Sequence, residues 1–260
     1  MIENVSEAQR IVVKVGTSTL AHKTGLMNIQ RVERLVKVLA DLKNSGKEII
    51  LVSSGAIGVG AGKMGLRSRP SDTPAKQACA AIGQCELMYC YDKYFSEYNH
   101  VVAQVLLTRD IIDSPARKEN VVNTFRNLLN FGVIPVINEN DTVSVEEIEF
   151  GDNDTLSAIV GSLAGADLLV ILSDIDGVFD GNPRTNPDAK LIPRIPAITD
   201  KVRALAGDRG STLGTGGMIT KLTAAQIGLD AGFPTVIMNG SAPELLYDLF
   251  DGRPVGTWIG

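Results

Sequence analysis

Short, uninterrupted apolar runs recur along this chain with room for a helix between them, and that alternation restricts the fold more than any other feature. R-I-V-V-K-V (Arg10 to Val15), E-I-I-L-V-S-S, V-V-A-Q-V-L-L, V-I-P-V-I-N and L-L-V-I-L-S-D each read as a strand. Runs that are apolar throughout suit parallel strands covered by helices on both faces, because a sheet with one wet face needs polar residues at every second position.

The spaces between the runs carry helix signals. Asn28 can cap a segment whose apolar positions Ile29, Val32, Leu35, Val36, Leu39 and Leu42 keep helical spacing, and Gly46 is placed to stop it. Thr73-Pro74 opens another helix, with the threonine as cap and the proline in the first turn. The alternating segment T-V-S-V-E-E-I-E-F leads to a helix from Asn153, with Asp152 as its cap and Asp154 favouring its positive end. The stretch from Asp180 to Asp188, D-G-N-P-R-T-N-P-D, is dense in turn formers and reads as a flap. A helix, the strand P-T-V-I-M-N-G and the tail G-T-W-I-G complete the chain. The expected architecture is an α/β fold, a mostly parallel central sheet between two helical layers. A length of 260 residues suits one domain.

Several classes of function drop out at this level. A net charge of −5 and a pI near 5.2 argue against a nucleic-acid binder, which needs a basic surface to displace counterions from phosphates. No apolar run approaches the roughly 18 residues of a membrane span. The start M-I-E-N-V-S-E-A-Q-R lacks the features of an export signal, so a cytoplasmic location is expected. Cys79, Cys85 and Cys90 lie within one predicted helix without the paired spacing of a zinc site, and His22 and His100 have no evident partners, so no metal held by the protein's own side chains is expected.

In open parallel sheets, ligands bind beyond the carboxyl ends of the strands. Those ends carry Gly16-Thr17-Ser18, Ser53-Ser54-Gly55, Asn138-Glu139-Asn140-Asp141 and Ser173-Asp174, a concentration of glycine, hydroxyl, amide and acid groups. The segment F-G-D-N-D-T-L-S-A adds a helix start at which the Asn153 amide can hold a polar ligand beside Asp141. Together these clusters point to a ligand with both positive and negative groups.

Two glycine-rich stretches need separate treatment. Gly60, Gly62 and Gly65 spell G-x-G-x-x-G, but they come well after the strand ends rather than in the strand-to-helix turn a dinucleotide site requires. The stretch G-T-G-G-M-I-T-K, Gly214 to Lys221, is not a Walker A loop either, yet its glycines allow backbone amides to approach an anion and it ends in a lysine. Lys14 lies inside an apolar strand, where a charge is costly unless it is partnered, and a phosphate is a suitable partner. Two separated lysines, Lys14 and Lys221, can neutralise a phosphoryl group in transfer, a reaction that needs little beyond positioning and charge stabilisation.

In order along the chain, V-V-K-V-G-T-S, V-S-S-G-A-I, P-V-I-N-E-N-D, F-G-D-N-D-T-L-S-A, L-L-V-I-L-S-D-I-D-G-V-F and G-T-G-G-M-I-T-K resemble the motifs of the amino acid kinase family. N-E-N-D, G-D-N-D and G-T-G-G-M are most similar to the members that act on glutamate. The resemblance implies a three-layer αβα sandwich and ATP-dependent phosphorylation of the side-chain carboxylate of L-glutamate, the opening step of proline synthesis. It implies that Lys14 and Lys221 stabilise the migrating phosphoryl group and that Asp174 orients the lysines. Ser54, Gly55, Asp141 and Asn153 would bind glutamate; Lys14, Ser173, Asp174 and the run Thr215, Gly216, Gly217, Met218, Ile219, Thr220 and Lys221 would hold ATP with magnesium. Residues up to about 165 would mainly bind glutamate and the remainder mainly ATP. Proline as feedback inhibitor and a homo-oligomeric assembly, dimer or tetramer, are further implications. Many relatives continue into an RNA-associated PUA domain for which this chain, ending at Gly260, has no room, and Glu149 stands where many have a basic residue. The alternatives are a kinase of the same fold with another acceptor, a non-catalytic amino-acid sensor, and a dehydrogenase.

Overall fold

A computed structural model describes residues 4–22, 24–108, 113–143, 153–183, 185–206 and 217–260. Their strands are β1 (Arg10–Val15), β2 (Glu48–Val52), β3 (Val102–Leu107), β4 (Ile134–Glu139), β5 (Leu168–Ser173), β6 (Arg194–Ile195), β7 (Thr235–Asn239) and β8 (Thr257–Ile259). They form one sheet in the order β3-β4-β2-β1-β5-β7-β8-β6. Every pairing is parallel except β7 with β8, so the G-T-W-I-G tail enters the sheet antiparallel to β7, between it and the edge strand β6.

The absence of polar alternation in the runs has the expected physical cause. Every residue of β4 and β5, and all of β1 after Arg10, is buried. Successive strand residues point to opposite faces, and two apolar cores result. Ile11, Val13, Val15, Ile49, Leu51, Val170 and Leu172 face one core; Val12, Ile50, Val52, Leu169 and Ile171 face the other. Lys14 shares its parity with Val12 and so points to the second face.

Helices α1 (Thr17–Leu20), α2 (Ile29–Asn44), α3 (Ala56–Lys63), α4 (Thr73–Ser96), α5 (Pro115–Asn130), α6 (Asn153–Ala164), α7 (Asp200–Leu205), α8 (Met218–Ala231) and α9 (Leu245–Phe250) follow the strands in alternation. Helices α2, α3, α4 and α9 bury their apolar residues in the first core, and α5, α6 and α8 in the second. This is the three-layer αβα sandwich. Asn28 caps α2 by accepting from the Arg31 amide at 3.2 Å, and Gly46 follows the helix with φ of 99°. The cap of α4 is one residue earlier than the sequence suggested. Asp72, not Thr73, accepts from the Ala75 amide, at 2.9 Å, because its carboxylate is an anionic acceptor placed to reach that amide.

The G-x-G-x-x-G match serves packing. A methyl group on Gly60 would collide with the Cys79 carbonyl, and one on Gly83 with the Ala56 carbonyl, so α3 and α4 touch backbone to backbone there. The stretch from Asp180 to Asp188 is closed at its base by an antiparallel bridge between Phe179 and Leu191. Most of T-V-S-V-E-E-I-E-F, with Glu149, Asp152, Thr215 and Gly216, lies outside the described residues.

Candidate active site

The parallel strands bring Lys14, Ser53, Asn138 and Ser173 to one edge of the sheet, with Lys14 in register with Val52 on one side and Ile171 on the other. Two helices begin over that edge on the second face. Helix α6 starts with Asn153 and Asp154, and α8 carries Lys221 in its first turn.

Asp154 joins the two lysines. Its Oδ1 lies 2.7 Å from Lys14 Nζ and its Oδ2 accepts from Lys221 Nζ at 2.9 Å. The side chains are 10% (Lys14), 9% (Lys221) and 1% (Asp154) exposed, so all three are removed from bulk water. Burial alone would raise the Asp154 carboxyl, but the charges and hydrogen bonds of Lys14 and Lys221 outweigh it and hold the group well below the usual carboxylate range. Thr220 Oγ1 donates to the same Oδ2 at 2.8 Å and also lies 2.8 Å from the Gly217 carbonyl, tying the α8 start to this carboxylate. Among the described residues, two ammonium groups thus share one carboxylate, a surplus of positive charge in a desolvated place. An anion is the natural complement.

One residue earlier on α6, Asn153 belongs to a second cluster. Its Nδ2 lies 2.7 Å from the Ser53 carbonyl, 2.8 Å from Asn138 Oδ1 and 3.1 Å from Ser54 Oγ. Asn138 Oδ1 also accepts from the Glu139 amide at 3.0 Å, and Asn138 Nδ2 donates to Gln84 Oε1 at 2.9 Å. Behind them the Tyr91 hydroxyl lies 2.9 Å from Ser53 Oγ, fully inside the first core. Gly55, at φ of 96°, starts α3 from a left-handed conformation that glycine adopts without strain. Asn153 Oδ1 is buried and has no hydrogen-bond partner among the described residues, an acceptor left for a donor to satisfy.

Asp141 is buried in the turn after β4. Its carboxyl is pushed up to about 6, chiefly by burial and then by the neighbouring Glu139 charge, with the Arg69 guanidinium pulling partly the other way. A carboxylate so placed gains from an arriving cation.

Most of the residues singled out from sequence therefore stand at this edge. Lys14 and Lys221 share Asp154, and Ser54 meets Asn153. Ser173 Oγ donates to Asp174 Oδ1 at 3.3 Å at the end of β5. Gly217, Met218 and Ile219 open α8 without a side-chain cap, which leaves its first amides to other acceptors. The carboxylate found between the lysines is Asp154, read from sequence only as a helix-start acid. The signal for it was indirect: two lysines needing a partner, and an acid in a short G-D-N-D cluster. Gln84 and Tyr91 had no signal beyond helical spacing. Among the described residues no three His, Cys, Asp or Glu side chains gather as a metal cage, and no helix is long and apolar enough to cross a membrane.

The model of the amino acid kinase family matches residues 9–239. The chain is 52% identical over 261 residues to the glutamate 5-kinase of Clostridium perfringens (strain 13 / Type A), covering 99% of this chain and 97% of that one. It is equally 52% identical to the glutamate 5-kinase of Listeria innocua serovar 6a, covering 99% of this chain and 95% of the relative. Among solved structures it resembles a UMP kinase from Bacillus anthracis, with a TM-score of 0.66 at 19% identity over 97% of this chain and 96% of that one. An isopentenyl phosphate kinase aligns with a TM-score of 0.65 at 16% identity over 96% of this chain and 100% of that one. At such identities these two likenesses speak for the fold alone.

Proposed function

The chain belongs to the amino acid kinase family, and we propose that within it this protein phosphorylates the γ-carboxylate of L-glutamate with ATP, the first step of proline synthesis. The observation that carries the reading is the buried surplus of positive charge at Lys14, Asp154 and Lys221. The 52% identity to glutamate 5-kinases over nearly the full length supports the choice of acceptor.

The chemistry suits the side chains. A carboxylate oxygen of glutamate attacks the γ-phosphorus of ATP, the bond to the ADP oxygen breaks, and an acyl phosphate and ADP result. The nucleophile is already ionised, so no general base has to take a proton. The obstacle is the approach of one anion to another. Lys14 and Lys221, held in place by Asp154, offset that repulsion and the charge on the transferring phosphoryl group. Asp174, at the end of β5, is proposed to help orient this ensemble and, with Ser173, to face the nucleotide. The start of α8, from Gly217 to Lys221, is proposed to face its phosphates with its first backbone amides and the Lys221 ammonium. Magnesium, when bound with the nucleotide, supplies further neutralisation at the phosphates; the described carboxylates form no cage for it, which fits an ion carried mainly by phosphate oxygens and water.

On the acceptor side, Asp141 is proposed to pair the substrate ammonium, with Ser54, Gly55 and Asn153 lining the same place. An N-acylated amino acid lacks that charge and would leave Asp141 uncompensated. Proline, with an ammonium and a carboxylate of its own, is proposed to compete there. In this arrangement acceptor groups come mainly from residues before about 165 and nucleotide groups mainly from those after.

The test is ADP release with magnesium, ATP and L-glutamate, with the acyl phosphate trapped by hydroxylamine, beside N-acetylglutamate, aspartate and UMP. Hydroxamate formed with glutamate is expected. Turnover of another acceptor alone, or none with any, would overturn the reading.

A further inference from the structure

Gln84 and Tyr91 lie outside the substrate cluster, yet each touches a different member of it. They are seven residues apart on α4, so they project from the same face two turns apart. Gln84 Oε1 accepts from Asn138 Nδ2 at 2.9 Å, and the Tyr91 hydroxyl lies 2.9 Å from Ser53 Oγ. The two residues they hold are two of the three that hold Asn153: Asn138 Oδ1 and the Ser53 carbonyl both accept from its Nδ2, at 2.8 and 2.7 Å. Ser54 Oγ, 3.1 Å from the same nitrogen, is steadied with it.

The orientation of these amides is settled by groups that cannot turn over. The Glu139 backbone N–H requires an acceptor, which makes its partner Asn138 Oδ1, and so Asn138 Nδ2 faces Gln84. The Ser53 backbone carbonyl requires a donor, which makes its partner Asn153 Nδ2. With its amino group committed on the protein side, Asn153 keeps only its oxygen for anything else, and that oxygen has no partner among the described residues. Side chains on β4, β2 and α6 are thus locked together from behind by one helix.

We propose that Gln84 and Tyr91 are positioning residues that fix the Asn153 amide and the Ser54 hydroxyl for the acceptor, acting through Asn138 and Ser53. The proposal deepens the glutamate reading and rests on it for the identity of the acceptor. Among the described residues no hydrogen bond or ion pair joins either one to the Lys14–Asp154–Lys221 cluster, so their loss should be felt by one substrate only.

Three single variants and one double test this. Tyr91→Phe removes one oxygen from a packed ring, and Gln84→Leu removes the acceptor for Asn138. Each should raise the KM for glutamate roughly tenfold while the KM for ATP and kcat stay within about twofold. Because both act on one amide, the double variant should be less impaired than the product of the singles. Gln84→Glu retains an acceptor for Asn138 Nδ2 and should recover most of the wild-type KM. An unchanged glutamate KM in both single variants overturns the proposal. So does a matched rise in both KM values, which is general loosening, or a Gln84→Glu enzyme as impaired as Gln84→Leu.

A readout independent of the substrate separates this proposal from the glutamate reading. In ligand-free, ¹⁵N-labelled protein the side-chain amide signal of Asn153, assigned by its loss in Asn153→Asp, should shift in Tyr91→Phe and in Gln84→Leu, while the Trp258 indole signal stays in place. An unmoved Asn153 signal overturns the positioning role whichever acceptor the wild type uses. Failure of the wild type to phosphorylate glutamate overturns the acceptor reading instead.

Discussion

Asn153 and Asp154 are neighbours in the first turn of α6, yet they belong to regions built on different principles. Around Asp154 charge dominates: two buried ammonium groups and one carboxylate, with the Thr220 hydroxyl as the neutral exception. Around Asn153 almost everything is a neutral amide, hydroxyl or carbonyl, each bonded in a definite direction. The charged region is suited to stabilising an anion that changes shape during a reaction, because a field does not demand one geometry. The amide region is suited to choosing and orienting a ligand, because its bonds do. A single helix start joins them, which in the proposed reading sets the acceptor beside the field.

Breaking this comparison should give separable results, of decreasing size. Asp154→Asn leaves Lys14 and Lys221 buried without their counter-charge. Urea unfolding should show a loss of about 3 kcal/mol or more, and activity should fall with it. Lys221→Ala reduces the field but leaves Asp154 and Lys14 paired. It should lower kcat by about a hundredfold or more, on the order of 3 kcal/mol, with little change in the glutamate KM or the melting temperature. Asp141→Asn should do the opposite in steady-state kinetics, raising the glutamate KM by roughly tenfold or more with kcat largely kept.

The pH dependence sharpens the same contrast. With its carboxyl raised to about 6, empty Asp141 contributes stability that is full below the ordinary carboxylate range and lost as pH rises through 6. In the proposed pairing, the ammonium of the substrate needs the ionised form. The glutamate KM should therefore climb as pH falls below 6, by up to about tenfold per unit, and Asp141→Asn should flatten that profile. Asp154 has the opposite sign. Its depressed carboxyl supports the fold above the ordinary carboxylate range and gives way only in strong acid, so Asp154 should contribute no inflection near pH 6.

How much of this was legible in the sequence follows from where the partners of each residue lie. The strands of the sheet centre were readable because burial on both faces leaves an unbroken apolar run. Lys14 was readable as the one charge in the interior of β1. The partner of both lysines was not, since Asp154 is 67 residues from Lys221 and meets it only through the packing of α6 against α8. The strand at Thr257–Ile259 was read only as a tail because three residues carry no periodicity; its pairing with β7 identifies it. The literal G-x-G-x-x-G misleads in the other direction: at Gly60 the absent side chain admits the backbone of α4, not a phosphate. Gln84 and Tyr91 look like ordinary members of a long helix until Asn138 and Ser53 are seen against them.

The most direct test of the central claim compares how wild type and Lys221→Ala bind ATP and a mimic of the transferring phosphoryl group, ADP with aluminium fluoride, each titrated with magnesium and glutamate present. If the buried surplus charge is directed at the phosphoryl group in transfer, the variant should lose far more affinity for the mimic than for ATP, by roughly the factor lost from kcat. Equal losses for the two ligands would mean that the lysine cluster merely binds nucleotide, and would contradict the account.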